Sequence, residues 1–223
     1  HGRDVAGPNA RAFIAHNAGD RRFIRSEPGV RGAWSGFSPA DLAYLSTFDL
    51  VHSSIYSELE GDLARLRPSI RRLSFDFSER WTGDNLRALC PLVDFAFLSH
   101  PRGGDEECAG LARTIAGMGP RSVVITRAAA GALALVDGML RTVCPKPAEV
   151  VDTLGAGDAF IAAYLLSLLG GTPLDEALDV AAGHAARACT HLGAFGYGAP
   201  WSEASAFADP PFKDAEHGLA YRN

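Results

Sequence analysis

Short apolar runs alternate with segments of helical spacing along most of this chain. The runs are rich in Phe, Leu, Val and Ile, which is typical of buried strands, and the segments between them repeat apolar residues every three or four positions. This alternation predicts a doubly wound α/β fold, with a mainly parallel sheet and helices on both faces. The predicted strands are 48–52, 73–77, 93–98 and 122–126, and the predicted helices are 38–46, 57–66, 82–89, 104–118, 157–170 and 174–190.

Two hairpins are predicted outside the parallel part. Near the N-terminus, apolar segments flank Asn17-Ala18-Gly19-Asp20, a sequence with strong turn propensity. Farther along, Asp137-Gly138 separates two apolar runs, and this dipeptide fits the tight turn that joins antiparallel strands. The hairpin strands are expected at 12–16 with 22–25, and at 132–136 with 140–143.

Length and composition fit one globular domain. The chain has 223 residues, 47% of them hydrophobic, which is enough to bury one sizeable core. We expect a partial hairpin region at 1–36, a core at 37–203 and a surface tail at 204–223. The net charge of −5 argues against nucleic acid as a partner. No apolar run approaches the roughly 20 residues of a membrane span, so we expect a cytoplasmic protein.

The most informative segment is Asp152-Thr153-Leu154-Gly155-Ala156-Gly157-Asp158, which precedes a long apolar helix. Its small residues leave backbone N–H groups uncovered at the helix N-terminus, where the helix dipole favours an anion. A phosphoryl group in transfer needs such donors. Asp158, in the first turn, is placed to accept a proton from an attacking hydroxyl. A bare Gly-x-Gly-Asp also fits an ordinary helix start, but the full string is much more specific.

This string resembles the second signature of the ribokinase-like (PfkB) carbohydrate kinases, and the resemblance covers most of the chain. It implies an ATP-dependent enzyme that phosphorylates a hydroxyl of a sugar or sugar-amine, with Asp158 as the catalytic base. The implied cofactors are ATP and Mg²⁺, with a monovalent cation as a further candidate. The resemblance also implies an anion hole at Gly155, Ala156 and Gly157.

Further site residues follow from the same resemblance. Asp152 and Thr153 would support the metal and phosphate groups. A nucleotide site would be lined by Thr126, Gly131, Gly193 and Ala194.

A subfamily resemblance concerns the acceptor. The runs FDLVHSSIY, FDFSERW and VDFAFLS look most like bacterial fructoselysine 6-kinases, which phosphorylate an Amadori sugar-amine. Asp76 is a candidate substrate contact because it lies at the carboxyl end of a predicted strand, where open α/β sheets bind ligands. Trp81 could stack on a sugar or pack at the start of a helix.

The chain also departs from the family pattern. The family's N-terminal Gly-Asp element and Gly-Gly-x-x-x-Asn sugar motif are not found, and the hairpin at 12–25 would be a remnant of its small β lid. Missing strands would expose sheet edges, and a homodimer is one arrangement that would cover them. Ala128 stands where the family's nucleotide loop has Gly. Alanine can replace glycine at this position if φ is negative.

The family's Asn-x-x-Glu motif is missing as well. The corresponding stretch is Leu98-Ser99-His100-Pro101-Arg102, and Asp105 or Glu106 are the candidate substitutes near the metal. We interpret His100, His184 and His191 as isolated histidines on the surface or on helix faces.

Two other functions remain open: a nucleotide- or sugar-binding protein without turnover, and a nucleoside kinase of the same family. A P-loop enzyme is excluded because no Gly-x-x-x-x-Gly-Lys-Ser/Thr string occurs. A Rossmann dehydrogenase is disfavoured because the Gly-rich turn comes late and lacks the Gly-x-Gly-x-x-Gly pattern.

Overall fold

The computed structural model describes residues 11–17, 20–27 and 36–194. The strands are β1 (Arg11–Asn17), β2 (Asp20–Glu27), β3 (Val51–Ser54), β4 (Leu73–Asp76), β5 (Phe95–Ser99), β6 (Ser122–Thr126), β7 (Ala132–Val136) and β8 (Met139–Val143). The helices are α1 (Pro39–Leu45), α2 (Leu63–Leu66), α3 (Gly83–Leu89), α4 (Asp105–Ala116), α5 (Ala156–Leu169) and α6 (Leu174–Ala188). No helix among the described residues is long and apolar enough to cross a membrane.

The main sheet has six strands in the order β3-β4-β5-β6-β7-β8. Strands β3 to β6 are parallel, and β7 and β8 continue the sheet in antiparallel pairing. Val136 pairs with Met139 across the two-residue loop, in which Asp137 has φ 47° and Gly138 has φ 81°. Two consecutive left-handed residues suit an Asp-Gly turn, so the predicted hairpin edge is confirmed.

The N-terminal hairpin is also confirmed, since β1 and β2 pair antiparallel in a separate two-stranded sheet. Its role as a lid remains a prediction. Residues 18–19 of the predicted turn and the predicted tail at 204–223 lie outside the described residues.

Two predicted elements between α1 and β4 were wrong in their bounds. The strand predicted at 48–52 begins at Val51, because the Phe48 N–H still donates to the Leu45 carbonyl as the chain turns out of α1. The helix predicted at 57–66 is confined to α2: Glu58 has φ 56°, which a right-handed helix excludes, and residues 60–62 form a turn.

Helices cover both faces of the sheet, as predicted. On one face, Phe75, Leu98 and Ile125 pack with the buried residues of α2, α3 and α4. On the other, Phe97 and Val124 pack with those of α5 and α6. Alternate residues of β5 and β6 therefore enter different cores, as the period of a strand requires.

The face toward α5 and α6 changes character between β5 and β4. Leu73, Phe75 and Phe77 enter the opposite core, so the alternate residues of β4 point to the α5 side. These are Ser74 and Asp76, and their parallel partners on β3 are His52 and Ser54. We call these four residues (His52, Ser54, Ser74 and Asp76) the polar strip.

Candidate active site

Asp152 anchors the turn between β8 and α5. The residue is 1% exposed, and its two oxygens accept separate backbone hydrogen bonds. Oδ1 accepts from the Leu154 N–H at 2.9 Å, and Oδ2 accepts from the Gly193 N–H at 2.9 Å. Because each of these bonds leads to a different loop, the carboxylate ties the start of α5 to the loop after α6.

Gly155 begins α5 in a conformation that only glycine adopts easily. Its φ is 78°, and a Cβ added there would lie 2.9 Å from Cβ and 3.0 Å from Cα of Ala194. The structure thus brings together Gly155, predicted for the anion hole, and Ala194, predicted for the nucleotide site.

The first turn of α5 consists of Ala156, Gly157 and Asp158. The first N–H groups of a helix have no partner within the helix, and the helix dipole makes this end positive. A Cβ at Gly157 would meet nothing within 4 Å, so the backbone there is open to a ligand. Thr153 closes the preceding turn by accepting a 3.3 Å hydrogen bond from the Ala156 N–H.

Asp158 acts electrostatically on two members of the polar strip. Burial and the charge of Asp158 raise the pKa of Asp76 to about 6, although a hydrogen bond from the Ser78 N–H opposes the shift. His52 is exposed, yet desolvation of its ring lowers its pKa, while the charge of Asp158 acts in the opposite direction. The predicted base and the predicted substrate contact Asp76 therefore lie on the same side of the sheet.

Thr126 and Gly131, predicted for the nucleotide site, lie on either side of the loop between β6 and β7. The Thr126 hydroxyl donates to the Leu98 carbonyl at 3.3 Å. Gly131 has φ 80°, and a Cβ there would lie 2.0 Å from the Val143 carbonyl oxygen. The glycine is thus required by its close approach to β8, whatever its role toward a nucleotide.

Ala128 does not have the negative φ at which a methyl group would be accommodated. Its φ is 50°, in the left-handed region that non-glycine residues rarely occupy. The departure from the family's glycine is therefore a strained position in the structure.

Arg127 is a buried cation that the sequence did not reveal. The residue is 7% exposed; Nη1 pairs with Asp105, and Nη2 donates to the Ala130 carbonyl at 3.2 Å. Asp105, suggested as a substitute near the metal, is thus paired with a guanidinium. An arginine between a strand end and a short run of alanines carries no periodic signal that marks it as buried.

His100 was interpreted wrongly as an isolated surface histidine. Its side chain is 21% exposed, and Nε2 lies 3.0 Å from a carboxylate oxygen of Glu107. Its ring meets Trp81 edge-on at 5.5 Å, and Trp81 Nε1 donates to the Ser99 carbonyl at 3.2 Å. Trp81 also packs against the core, which favours its packing role over stacking on a sugar.

Comparison with known proteins assigns the family. The model of the pfkB family of carbohydrate kinases matches residues 9–200. Fructosamine kinase FrlD of Bacillus subtilis (strain 168) is 39% identical over 204 residues, which cover 89% of this chain and 71% of that protein. The chain belongs to the pfkB family of carbohydrate kinases. Fructoselysine 6-kinase of Escherichia coli (strain K12) is 31% identical over 189 residues, covering 85% of this chain and 72% of that enzyme.

Solved structures share the fold. Ribokinase from Thermotoga maritima superposes with a TM-score of 0.67 at 22% identity over 85% of this chain. Arabidopsis thaliana ribokinase, complexed with ribose and ATP, gives 0.68 at 19% identity over 82% of this chain. The chain spans 66% and 64% of those two structures. These structures confirm the predicted ribokinase-like fold, and the family model and the two relatives confirm the carbohydrate-kinase family, whereas the roles of the individual residues remain predictions.

Proposed function

We propose that this chain transfers the γ-phosphoryl group of ATP to a hydroxyl of a sugar-amine of the fructosamine class. The observation that carries the proposal is the geometry of Asp152–Asp158. A buried Asp152 holds the turn, Gly155 is left-handed, and the start of α5 is open beside Asp158. The names of the two relatives, fructosamine kinase and fructoselysine 6-kinase, support the acceptor class.

The chemical step assigns one task to each part of this turn. The acceptor oxygen attacks the γ-phosphorus, its proton passes to the Asp158 carboxylate, and the bond to the β-phosphate oxygen breaks to release ADP. An alcohol is a much weaker acid than a carboxylic acid, so the proton moves late and positioning matters more than basicity. The N–H groups of Gly155 and Gly157 and the positive end of α5 stabilise charge on the transferring phosphoryl group, whereas the Ala156 N–H donates to the Thr153 carbonyl.

Mg²⁺ is assigned to the phosphates of the nucleotide. Mg²⁺ typically binds through one or two carboxylates, substrate phosphates and retained water. Both Asp152 oxygens accept backbone hydrogen bonds, so Asp152 would support the metal–phosphate site by holding this turn, and the Asp158 carboxylate is left to act as the base. The described residues contain no cluster of three or more His, Cys, Asp and Glu arranged to hold a metal ion. When bound, the ion would neutralise phosphate charge during transfer.

The test is ADP release from MgATP with fructosamine, fructoselysine, plain sugars and nucleosides as acceptors. Asp158→Asn keeps the shape of the side chain but removes the base, so we expect kcat to fall by about 10²- to 10⁴-fold. Asp84→Asn is the matched control, because it removes a carboxylate whose side chain is 94% exposed on α3. Equal activity of Asp158→Asn and the unaltered chain would contradict the assignment of the base.

Nucleoside phosphorylation is the second candidate. It is favoured by cytidine kinase of Thermococcus kodakarensis, which is 33% identical over 119 residues and 48% of this chain. The same base and anion hole would serve a nucleoside, so the acceptor panel separates the two functions. ATP binding without turnover of any acceptor would instead favour a binding protein.

A further inference from the structure

The polar strip lies where an apolar surface would otherwise continue. On the same sheet face, β5 contributes Phe95 and Phe97 to the core beneath α5 and α6. The next strand contributes Ser74 and Asp76, and Asp76 pairs directly with Phe97 across the sheet. A carboxylate beside a buried aromatic residue costs stability unless it has a partner. Because Asp76 does not stabilise the fold at this position, we look for a functional role for its carboxylate.

The turn after β4 holds the Asp76 carboxylate in a fixed orientation. Oδ1 accepts a 2.8 Å hydrogen bond from the Ser78 N–H, and Ser78 has φ 51°. Among the described residues, the Ser78 N–H is the hydrogen-bond donor to this carboxylate, so Oδ2 remains available to a ligand. Asp76 is the last residue of β4, at the carboxyl edge of the parallel strands.

Asp76 also differs from Asp94, another partly buried carboxylate near these strands. Asp94 precedes β5 and is paired with Arg67 at 3.1 Å. Asp76 forms no ion pair with any described residue, and the charge that acts on it is the negative charge of Asp158. Two carboxylates with no cation between them attract a cationic ligand.

We propose that Asp76 binds the ammonium group of a sugar-amine acceptor and thereby selects sugar-amines over neutral sugars. This inference rests on the proposed function, because it places the acceptor hydroxyl at Asp158. An alkyl ammonium group is charged at neutral pH and donates hydrogen bonds to a carboxylate, whereas a sugar hydroxyl in the same place would leave the negative charge unpaired. Asp158 and Asp76 thus act on opposite ends of one substrate.

The variant that tests this role is Asp76→Asn, which retains an oxygen to accept from the Ser78 N–H. We would measure kcat and KM for fructosamine and for fructose in the variant and in the unaltered chain. The preference for fructosamine in kcat/KM is expected to fall by about 10- to 100-fold, mainly through KM. Activity toward fructose is expected to stay within about threefold, and Asp84→Asn is expected to leave both acceptors unchanged.

A binding measurement covers the case in which Asp76→Asn does not fold. Calorimetry on the unaltered chain would compare fructosamine with N-acetylfructosamine, which keeps the sugar but carries no charge. We expect acetylation to weaken binding by at least about tenfold. Equal affinities would overturn the proposal, as would an unchanged fructosamine preference in a folded Asp76→Asn.

Two other outcomes distinguish a failure of the proposed role of Asp76 from a failure of the proposed kinase function. If no acceptor supports ADP release, the proposed function fails, and the calorimetric comparison still decides whether a cation is recognised. If Asp76→Asn weakens both acceptors equally and raises the Mg²⁺ requirement, Asp76 serves the metal and the proposal is overturned.

Discussion

The sheet face beneath α5 has two halves with opposite chemistry. At β5 to β7 it presents Phe97, Val124 and Ala134, and these residues pack against apolar residues of α5 and α6. At β3 and β4 the same face presents the polar strip, with Asp158 of α5 acting on it electrostatically. Neighbouring strands of one sheet thus present different chemistry on the same face: the first half packs against α5 and α6, and the second half carries the polar strip.

The difference shows how a helix can serve a core and a site together. α5 buries Phe160 and Tyr164 in the apolar half, which fixes its position. Its N-terminus, with Asp158, is then held over the boundary with the polar strip. The predictions below test whether stability resides in the first half and selectivity in the second.

The largest effect on stability is expected from Phe97→Ala in the apolar half. Phe97 is 1% exposed and meets Tyr164 edge-on at 5.8 Å. Loss of the buried ring should lower the free energy of unfolding by about 3–5 kcal/mol, measured by chemical denaturation. Phe48→Ala is the control, because Phe48 is 40% exposed and its loss should cost less than about 1 kcal/mol. Similar losses in the two variants would contradict the claim that burial in the apolar half carries stability.

The polar half is expected to respond in the opposite direction to Asp76→Asn. The pKa of Asp76 is raised from 3.8 to about 6, so the folded chain holds its proton more tightly than the unfolded chain. Stability from this group is present below pH 3.8 and is lost as the pH rises toward about 6. Asp76→Asn should therefore be more stable than the unaltered chain above pH 6, by about 1–2 kcal/mol after allowance for partial exposure.

The check is a series of denaturation curves from pH 4 to pH 8. The stability difference should be small at the acidic end and reach a plateau above about pH 6. Asp158 acts on this carboxylate and on His52, which lies on the same sheet face, but both residues are present in the two proteins being compared. A difference that is constant over the whole range would show that burial of the charge at Asp76 does not limit stability.

The sequence predicted the apolar half better than the polar one. Continuous runs such as Ser122–Thr126 identify buried strands, and Asp137-Gly138 identifies a turn by its own backbone preference. The Asp152–Asp158 string predicted the site because its chemistry is local. The pairing of Asp76 with Ser54, and the effect of Asp158 on both Asp76 and His52, depend on strand register and helix placement. Such contacts between distant residues leave no pattern in one sequence.

A smaller effect is expected from Tyr164→Phe, which tests a polar contact between β6 and α5 in the apolar half. The Tyr164 hydroxyl lies 3.0 Å from the Ser122 hydroxyl, and both side chains are buried. The variant should lose about 1–2 kcal/mol because the Ser122 hydroxyl would be left without this partner. Ser122→Ala in the same background should cost less than in the unaltered chain, as a double-mutant cycle would measure. Strictly additive losses would contradict the coupling.

The smallest effect is expected at the carboxyl end of β6, where the apolar half meets the loop that carries Ala128. Ala128 has φ 50°, and glycine adopts this conformation without the steric cost of a Cβ. Ala128→Gly should therefore raise the free energy of unfolding by about 0.5–1 kcal/mol, after the greater freedom of glycine in the unfolded chain is subtracted. Ala129→Gly is the matched control. Ala129 does not have a positive φ, so the same substitution there should lower the free energy of unfolding by a similar amount. If both variants lost stability equally, the strain at Ala128 would have no energetic consequence, and the family's glycine at this position would serve the nucleotide alone.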